Sequence, residues 1–505
     1  MSKRSAGPLI TALADGAAGV SGRRNQLLHA VLGRIRGGAL APGARLPSAR
    51  QLARDWGVAR GVVDDVFAQL QDDGWIHRRV GDGSYVAATL PAPPAPAPAL
   101  PERGPNDAAR RVLSHFAPVM AQSRRFELPR QLFHPPVLHP RGWPVDDFPL
   151  ERWRRLVAAS LAEEWRDHLG YGPAEGLPAL REAIARHLAM TRSVRCSAEQ
   201  VIVVNSPLQA LETIARVLLQ PGDRVWVEDP GHPSLPLLLE MLHTQAIGVP
   251  LDDEGFDVAH AQQRAPDAVL AYLHPLTQYP LGVPTSSARG DALLQWAERR
   301  GGWIVEGCFN DELVHRGPAP PALHTRDRAG RVLLMGTFEG VLFPALRLAY
   351  LVVPPRLVDV FVAARGLLGD HSPVTMQLAL AGFIDGGHLS AHLRLLRERI
   401  GARRDALRQA VRRWLPAAAI LSRTDTGLHA CVHLPPDWPD TEVVHALRAR
   451  GIGGEALSSR CWQVRDRNGL VIGYGADPPE RITAAVRTLG EVLQAMPVPA
   501  DAGSG

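Results

Sequence analysis

Lysine, a side chain that could do covalent chemistry, is almost absent from this chain. Among 505 residues, Lys3 is the one lysine, and arginine supplies every other basic side chain of the 56. A guanidinium does not deprotonate to a nucleophile under protein conditions, so arginine cannot replace a lysine that must form a Schiff base. Drift of surface lysines to arginine explains the general composition, but it cannot replace a reactive amine.

The cysteines give no sign of a disulfide framework or a metal site. Cys196, Cys308, Cys431 and Cys461 lie far apart, with no CxxC or Cys/His spacing. This spacing fits a reducing compartment, and we predict no bound metal. The N-terminus lacks the apolar core of a signal peptide, and no apolar run approaches membrane-spanning length. We therefore expect a cytoplasmic protein with no membrane partner.

The excess positive charge is confined to one end of the chain. The formal net charge is +5, and residues 1–90 carry twelve basic and seven acidic side chains, whereas the remainder carries forty-four of each. Such asymmetry is typical of a domain that meets a polyanion, with a solvated basic face as the alternative.

A proline-rich stretch divides the chain. Residues 91–105, PAPPAPAPALPERGP, cannot build a helix or a sheet ladder and predict a semi-rigid polyproline spacer. We place it in a linker at 89–128, between an N-terminal unit at 22–88 and a large domain at 129–496.

The N-terminal unit has the pattern of a winged helix-turn-helix. Ser48 and Gly57 bracket a short helix, and the Gly57-Val58 turn is the tight joint before the next helix. Two alternating segments then flank Gly81-Asp82-Gly83, as in a hairpin with a basic tip. The three predicted helices and two predicted strands span 25–36, 48–57, 59–70, 75–79 and 84–86.

This segment, LPSARQLARDWGVARGVVDDVFAQLQDDGWIHRRVGDGSYVA, resembles the GntR-type winged helix over its whole length. The resemblance rests on Leu-Pro-Ser-x-Arg, on the arginine that opens the recognition helix, and on the closing Gly-x-Gly-[Thr/Ser]-[Phe/Tyr]-Val. It implies binding to double-stranded operator DNA, with arginines on phosphates or guanine edges and glycines letting the wing approach. The predicted DNA-binding residues are Ser48, Arg50, Arg60, Arg78, Arg79, Gly81 and Gly83.

The segment departs from that family at the start of the recognition helix. Ala59 stands where the family has a serine, which removes a hydroxyl cap. Gly61 and Val62 replace a polar pair and remove two base-edge hydrogen-bonding groups. We therefore expect DNA binding with reduced base readout by these positions.

The large domain alternates helical patterns with short β-branched runs, as at 201–204, 224–228, 268–272 and 303–306. This alternation predicts an α/β layered fold with a largely parallel sheet, in which ligands bind at the carboxyl ends of the strands.

Four segments in the same order resemble the fold-type I aminotransferases, as fused to winged helices in the MocR regulators. The resemblance implies a large three-layer α/β domain, a pyridoxal-phosphate fold and a homodimer formed through the large faces. The segments are YGPAEGLPALREAIARHL (171–188), PGDRVWVEDPGHP (221–233), QYPLG (278–282) and LFPALRLAYLVVP (342–354).

The positions that hold the cofactor in that family are altered. Glu339-Gly340 stands where the resemblance expects Ser-Lys, so the Schiff-base amine is missing. Gly307 and Phe309 stand where the family has an aspartate for the pyridine nitrogen and a tyrosine for the ring hydroxyl. The phosphate-cradling helix start reads 205–208, Asn-Ser-Pro-Leu, where Pro207 lacks one N–H donor.

These residues indicate a DNA-binding regulator whose aminotransferase-like domain senses an effector, dimerises, or both, with no catalytic residue and no covalent cofactor. Two alternatives stay open at this point: non-covalent pyridoxal phosphate held by Arg347 and His232, or a lysine-independent enzyme. A domain that only dimerises is a third, and His232 and Arg347 would then be structural remnants. The candidate pocket residues are His232, Gln278, Tyr279, Asn310, Glu339 and Arg347.

Overall fold

A computed structural model describes residues 22–79, 81–91, 135–162, 169–315 and 320–496. The chain divides into two units, residues 1–110 and 111–505. From residue 92 onward, the linker predicted at 89–128 lies outside the described residues.

The first unit has the predicted three helices and hairpin. Ser48 caps the second helix, since its Oγ accepts a hydrogen bond from the Gln51 N–H at 3.2 Å. Gly57 ends that helix at φ 60°, a left-handed conformation that glycine adopts without strain. The elements are α1 (Arg23–Arg36), α2 (Ala49–Trp56), α3 (Arg60–Asp72), β1 (Ile76–Arg79) and β2 (Gly83–Val86).

One apolar core holds this unit together. Leu27, Val31 and Ile35 form a buried stripe on α1, and Val63 and Phe67 face them from α3. The 3.6-residue spacing of both stripes explains why the helices pack through these faces. α3 is thereby fixed with its first turn at the surface.

The second unit is built on a mixed eight-stranded sheet, in the order β3-β10-β9-β8-β7-β4-β5-β6. Its central strands β9, β8, β7, β4 and β5 are parallel, while β10 runs antiparallel to both of its neighbours. The strands are β3 (Val201–Val204), β4 (Arg224–Asp229), β5 (Gln245–Asp252), β6 (Gly255–Phe256), β7 (Leu270–Leu273), β8 (Trp303–Cys308), β9 (Val332–Thr337) and β10 (Ala349–Val352).

The central strands are buried on both sides, because helices cover both faces of this sheet. Two apolar clusters form the two helix–sheet layers. The helices up to the end of this region are α4 (Leu150–Ala159), α5 (Pro178–Arg192), α6 (Pro207–Leu218), α7 (Ser234–Met241), α8 (Val258–Arg264), α9 (Ser287–Arg300), α10 (Leu323–Arg326), α11 (Val358–Leu368) and α12 (Val374–Asp385).

A smaller antiparallel sheet follows, in the order β11-β12-β14-β13. The long helix α13 packs against α15, and both bury apolar residues in the largest core cluster. The elements are α13 (His388–Trp414), β11 (Ile420–Leu421), β12 (His429–His433), α14 (Asp440–Arg448), β13 (Glu455–Ala456), β14 (Gly469–Gly473) and α15 (Pro479–Ala495).

The described helices include none that is both long and apolar enough to cross a lipid bilayer.

Candidate functional site

The first candidate surface is the exposed start of α3 with the neighbouring helix α2. Arg60 is the first residue of α3, and its side chain is 62% exposed. Arg50 is exposed on the first turn of α2, whose N-terminus is capped by Ser48. Both side chains are therefore exposed to solvent, whereas the Ser48 hydroxyl also has a structural role.

The wing depends on its two glycines. Gly81 has φ 76° and Gly83 has φ 136°, so both adopt conformations that other residues rarely reach. A Cβ atom at Gly83 would also lie 3.1 Å from Nε of Arg45. Arg45 donates to the Asp82 carbonyl, and Tyr85 Oη donates to the Asp82 carboxylate at 2.8 Å. These contacts fix the turn from within.

The two arginines of β1 lie on aromatic rings. The Arg78 guanidinium carbon is 5.6 Å from the ring centroid of Phe67, and that of Arg79 is 5.1 Å from the ring of Tyr85. Such cation–π contacts orient the cations while both side chains remain exposed.

An acidic residue joins the helix start to the wing. The Asp64 carboxylate lies 3.4 Å from Nε of Arg60, one helical turn earlier, and 2.9 Å from an Nη atom of Arg78. Two predicted DNA-binding arginines therefore share one carboxylate. The i,i+4 spacing of Arg60 and Asp64 signals the first pair in the sequence, but the pair with Arg78 depends on how β1 folds back.

The second candidate site begins at the turn after β9. A Cβ atom built on Gly340 would lie only 1.6 Å from Oδ1 of Asn310, so the Asn310 amide fills the space beside that α-carbon. Asn310 itself has φ 60°. Any larger residue at 340 would require Asn310 to move.

A chain of buried hydrogen bonds joins β4 to the end of β7, beside β8. Nδ1 of His274 is 2.8 Å from a carboxylate oxygen of Glu228, and Nε2 is 3.1 Å from Oη of Tyr272. A Cβ atom on Gly307 would lie 2.5 Å from this imidazole, so the ring occupies the space that a side chain at 307 would need. The Phe309 ring centroid lies 4.8 Å from that of His274.

A buried ion pair holds the loop after β8 in place. Arg192, from α5, pairs with Asp311, and both side chains are at most 5% exposed. The Thr277 hydroxyl donates to the Asp311 carboxylate at 2.8 Å. Because breaking such a buried pair leaves an uncompensated charge, this loop and its neighbour Asn310 are fixed without a ligand.

Side chains also occupy the N-terminus of α6. The Asn205 N–H donates to Oε1 of Gln209 at 2.7 Å, and the Gln209 N–H donates to Oγ of Ser206 at 3.2 Å. Pro207 has no N–H to offer. Arg365, which is fully buried, places an Nη atom 3.4 Å from the same Gln209 oxygen. Two backbone donors that could bind an anion here are thus already bound within the protein.

The structure brings His232 and Tyr279 together, with ring centroids 6.4 Å apart. The His232 side chain is exposed. Desolvation by neighbouring protein groups, followed by the positive charges of Arg460 and Arg141, lowers the pKa of its imidazole. Gln278 is buried and bonds to backbone groups, including a donated bond to the Pro230 carbonyl at 3.0 Å.

Glu339 and Arg347 are two further predicted pocket residues. Burial raises the pKa of Glu339, and the positive charge of Arg347 partly offsets this shift. Arg347 is exposed and has φ 54°, the left-handed region.

A carboxylate at the end of β4 binds the loop that precedes β14 of the small sheet. The Asp229 carboxylate, at the end of β4, accepts backbone N–H groups of Trp462, Gln463 and Val464 at 2.6 to 2.8 Å. This clamp holds the loop that carries Arg460 over the carboxyl ends of the large-sheet strands. Sequence analysis missed it because it joins segments that are far apart in the chain.

Near that loop, the Glu455 carboxylate contacts two donor side chains. Its carboxylate pairs with Arg460 and lies 3.2 Å from the Tyr279 hydroxyl. Among the described residues, no cluster of three or more His, Cys, Asp or Glu side chains is arranged to hold a metal ion.

Comparison with known proteins covers both units. Residues 23–86 match the family model of bacterial regulatory proteins of the gntR family, and residues 144–452 match that of aminotransferase class I and II. The chain is 31% identical to the probable rhizopine catabolism regulatory protein MocR of Rhizobium meliloti over 93% of this chain and 94% of that protein. This chain belongs to the MocR-type regulators of the GntR family.

This MocR-type chain is also similar to a second regulator and to a solved aminotransferase structure. It is 30% identical to the pyridoxine biosynthesis transcriptional regulator PdxR of Corynebacterium glutamicum, over 93% of this chain and 95% of that protein. A multiple substrate aminotransferase from Thermococcus profundus superposes with a TM-score of 0.70 at 26% identity, covering 76% of this chain and 98% of the other. The predicted family and fold class are therefore confirmed.

The Asp64 carboxylate, which Arg60 and Arg78 share, leads to a testable prediction about DNA affinity. Asp64→Asn removes the charge that holds Arg60 and Arg78, so both cations become free for phosphates. We expect tighter binding to a random-sequence duplex and a steeper salt dependence, by about 0.9 in the logarithmic slope for each released arginine. Fluorescence anisotropy across a salt series measures both quantities.

Asp72→Asn, an exposed acid at the last turn of the same helix, is the matched control and should change affinity less. Weaker binding by Asp64→Asn would contradict the prediction and would show that the carboxylate supports DNA binding.

Proposed function

We propose that this MocR-type regulator binds operator DNA through its winged helix, and that its large domain forms no Schiff base and instead senses a small-molecule effector and dimerises. The observation that carries the proposal is at Gly340: this position offers no amine, and the Asn310 amide fills the adjacent space. Lys3, the one lysine of the chain, precedes the winged helix. Transamination requires an amine that forms the Schiff base and moves protons, so we propose that this domain is not an enzyme.

The basic face of the winged helix supports the DNA-binding part. Arg50, Arg60 and Arg79 have exposed side chains, and Gly81 and Gly83 allow close approach of the wing backbone. The polar side chain on α3 that follows Gly61 and Val62 is Asp64, whose carboxylate is engaged with arginines. We therefore attribute most of the affinity to phosphate contacts, with limited base readout from this helix start.

The residues around Gly340 do not fit pyridoxal phosphate, the cofactor that aminotransferase folds generally hold. His274 occupies the space beside Gly307, where the family has the aspartate for the pyridine nitrogen, and Gln209 and Ser206 occupy two donors at the start of α6. Glu339, next to Gly340 in the chain, adds a carboxylate that would repel a phosphate dianion. We propose that the cofactor site is filled by the protein itself.

Exposed apolar side chains support the homodimer. Tyr171 is 93% exposed and Leu367 is 89% exposed, although both are large and apolar. They belong to one region, because Arg365, two residues before Leu367, donates to the Ala174 carbonyl at 2.8 Å. Large side chains this exposed on neighbouring segments favour an interface. We propose that a second copy covers it.

In a dimer, two winged helices would bind paired half-sites, and the effector would act by shifting the population of DNA-binding arrangements rather than by turnover. A ligand shifts such an equilibrium only by its differential affinity for the two states.

The DNA-binding assignment predicts the effect of two substitutions. Arg50→Ala and Arg60→Ala should each weaken binding to an operator selected from a random library, because each removes a phosphate or base contact worth about 1–3 kcal/mol. Arg36→Ala, an exposed arginine that lies over Trp75, is the control and should bind like the unaltered protein. Unchanged affinity in both test variants would disprove the assignment.

The vacated cofactor site predicts a spectroscopic result. Addition of pyridoxal 5′-phosphate to the full chain should produce no aldimine absorbance and no saturable heat in calorimetry, because Asn310, His274 and Glu339 leave neither an amine nor a phosphate cradle. Saturable binding without an aldimine band would favour the non-covalent alternative, and Arg347→Ala should then abolish it. An aldimine band retained after Lys3→Ala would contradict the proposal.

The dimer predicts the effect of a charge in the apolar region. Leu367→Arg should shift the chain from dimer to monomer in sedimentation equilibrium, since an unpaired cation at a buried interface is destabilising. Leu395→Arg, at a 41% exposed position on α13, is the control. A monomeric unaltered protein, or a dimer that survives Leu367→Arg, would contradict the proposed interface.

A further inference from the structure

Two arginines and a tryptophan lie together at the amino-terminal edge of the large sheet. Trp303 is the first residue of β8, and Arg331 immediately precedes the neighbouring parallel strand β9. Arg356 follows the end of β10, which runs antiparallel to β9 and therefore finishes at the same edge. Gly307 and Gly340 lie at the opposite edge, where the strands β8 and β9 end. The two arginines are thus separate from the positions that hold the cofactor in aminotransferases.

Both guanidinium groups lie against the Trp303 ring. The guanidinium carbon is 4.7 Å from the ring centroid in Arg331 and 5.3 Å in Arg356. Arg331 also donates to the Gly301 carbonyl at 2.9 Å. Arg356 donates to the Gly330 carbonyl at 2.9 Å. Because a guanidinium has five N–H donors, each arginine is oriented by these contacts and still has donors for a further acceptor.

These two cations have no acidic partner, in contrast to a neighbour. Arg224, at the start of β4 on the same edge, is 2.9 Å from the Asp267 carboxylate. The Asp327 carboxylate precedes β9 and is engaged with the backbone, since it accepts the N–H groups of residues 329, 331 and 332 at 2.6 to 2.9 Å. Within the part of the chain that the structure describes, neither Arg331 nor Arg356 forms an ion pair. Their positive charge is therefore not neutralised by a paired carboxylate.

Two exposed arginines extend this positive charge. Arg300 is the last residue of α9 and directly precedes Gly301, the first of the two backbone acceptors. Arg328 lies two residues before Gly330, the second acceptor. Both arginines are exposed, and neither forms an ion pair with a described residue. The name basic edge is used below for Arg300, Arg328, Arg331 and Arg356.

The chemistry of the basic edge fits phosphate groups. A guanidinium is always charged and planar, and its donors match phosphate oxygens in pairs. Charge alone would also suit an acidic protein surface. DNA is favoured because, under the proposed function, the winged helix of the same chain binds it. The phosphates of that DNA are therefore present at a high effective concentration for the large domain.

We propose that the basic edge of the large domain contacts phosphates of the DNA that flanks the operator. The inference rests on the proposed DNA-binding function and adds a second contact surface to it. Phosphate contacts position a protein and add affinity, but they carry no sequence information directly. The flanking contact therefore contributes salt-dependent affinity and no base readout.

The salt dependence of DNA binding by the full chain tests this contact. The selected operator is prepared as a duplex of its own length and as one with long flanks on both sides. We expect Arg331→Gln combined with Arg356→Gln to lower the logarithmic salt slope for the flanked duplex by about 1.8, about 0.9 for each lost phosphate contact. The slope for the short duplex should stay the same. The matched control, Arg394→Gln combined with Arg412→Gln, removes two exposed arginines from α13 and should change neither slope.

A second double variant leaves the backbone contacts of Arg331 and Arg356 in place. Arg300→Gln combined with Arg328→Gln should also lower the slope for the flanked duplex, and thermal melting confirms that each variant is folded. Unchanged slopes in both double variants would overturn the proposal and leave an acidic protein surface as the partner. An equal fall in the α13 control would overturn it as well. Unaltered protein that binds neither duplex would instead refute the proposed DNA-binding function.

Discussion

One carboxylate joins the large sheet to the loop that precedes the last strand of the small sheet, and the arrangement of Arg460 and Glu455 depends on it. Asp229 ends β4 and is 1% exposed, and it accepts three consecutive backbone N–H groups from the loop at 462–464. Hydrogen bonds to an ionised acceptor are stronger than neutral ones, and three of them fix both position and orientation. The space around Asp229 is also limited, since a Cβ atom on Gly248 would lie 2.6 Å from its carboxylate. Arg460 and Glu455 are consequently held beside His232 by backbone geometry rather than by a ligand.

The loops around Gly307 and Asn310 are likewise fixed by the protein's own groups. Arg192 and Asp311 hold the loop after β8, and the pair Glu228–His274 fills the space beside Gly307. In an enzyme that binds a large cofactor, that molecule contributes to the order of such loops. Here the buried ion pair and hydrogen bonds supply the same constraint, and their desolvation is compensated because each charged group has a partner. Gly340, which has no side chain, and the Asn310 amide that fills the space beside it fit this self-contained arrangement.

The sequence predicted the fold well wherever the signal was local. Ser48 and Gly57 placed α2 to within a residue, because capping and left-handed φ values depend on short-range geometry. The strands at 201–204 and 303–306 were found from their β-branched runs, although β8 continues to Cys308. The antiparallel β10, the clamp at Asp229 and the second partner of Asp64 were not predicted, since each requires knowing which distant segments meet. The pair Arg460–Glu455 beside Tyr279 was missed for the same reason, and the predicted candidate Gln278 is engaged with the backbone.

The proposed effector function sets an energetic requirement for regulation. A reversible site is filled in proportion to ligand concentration relative to its Kd. For such filling to change DNA binding tenfold, the ligand must distinguish two arrangements of the protein by about 1.4 kcal/mol. One charge-assisted hydrogen bond that forms in only one arrangement supplies energy of that order. A small ligand with a single charged group therefore meets the requirement without any chemical turnover.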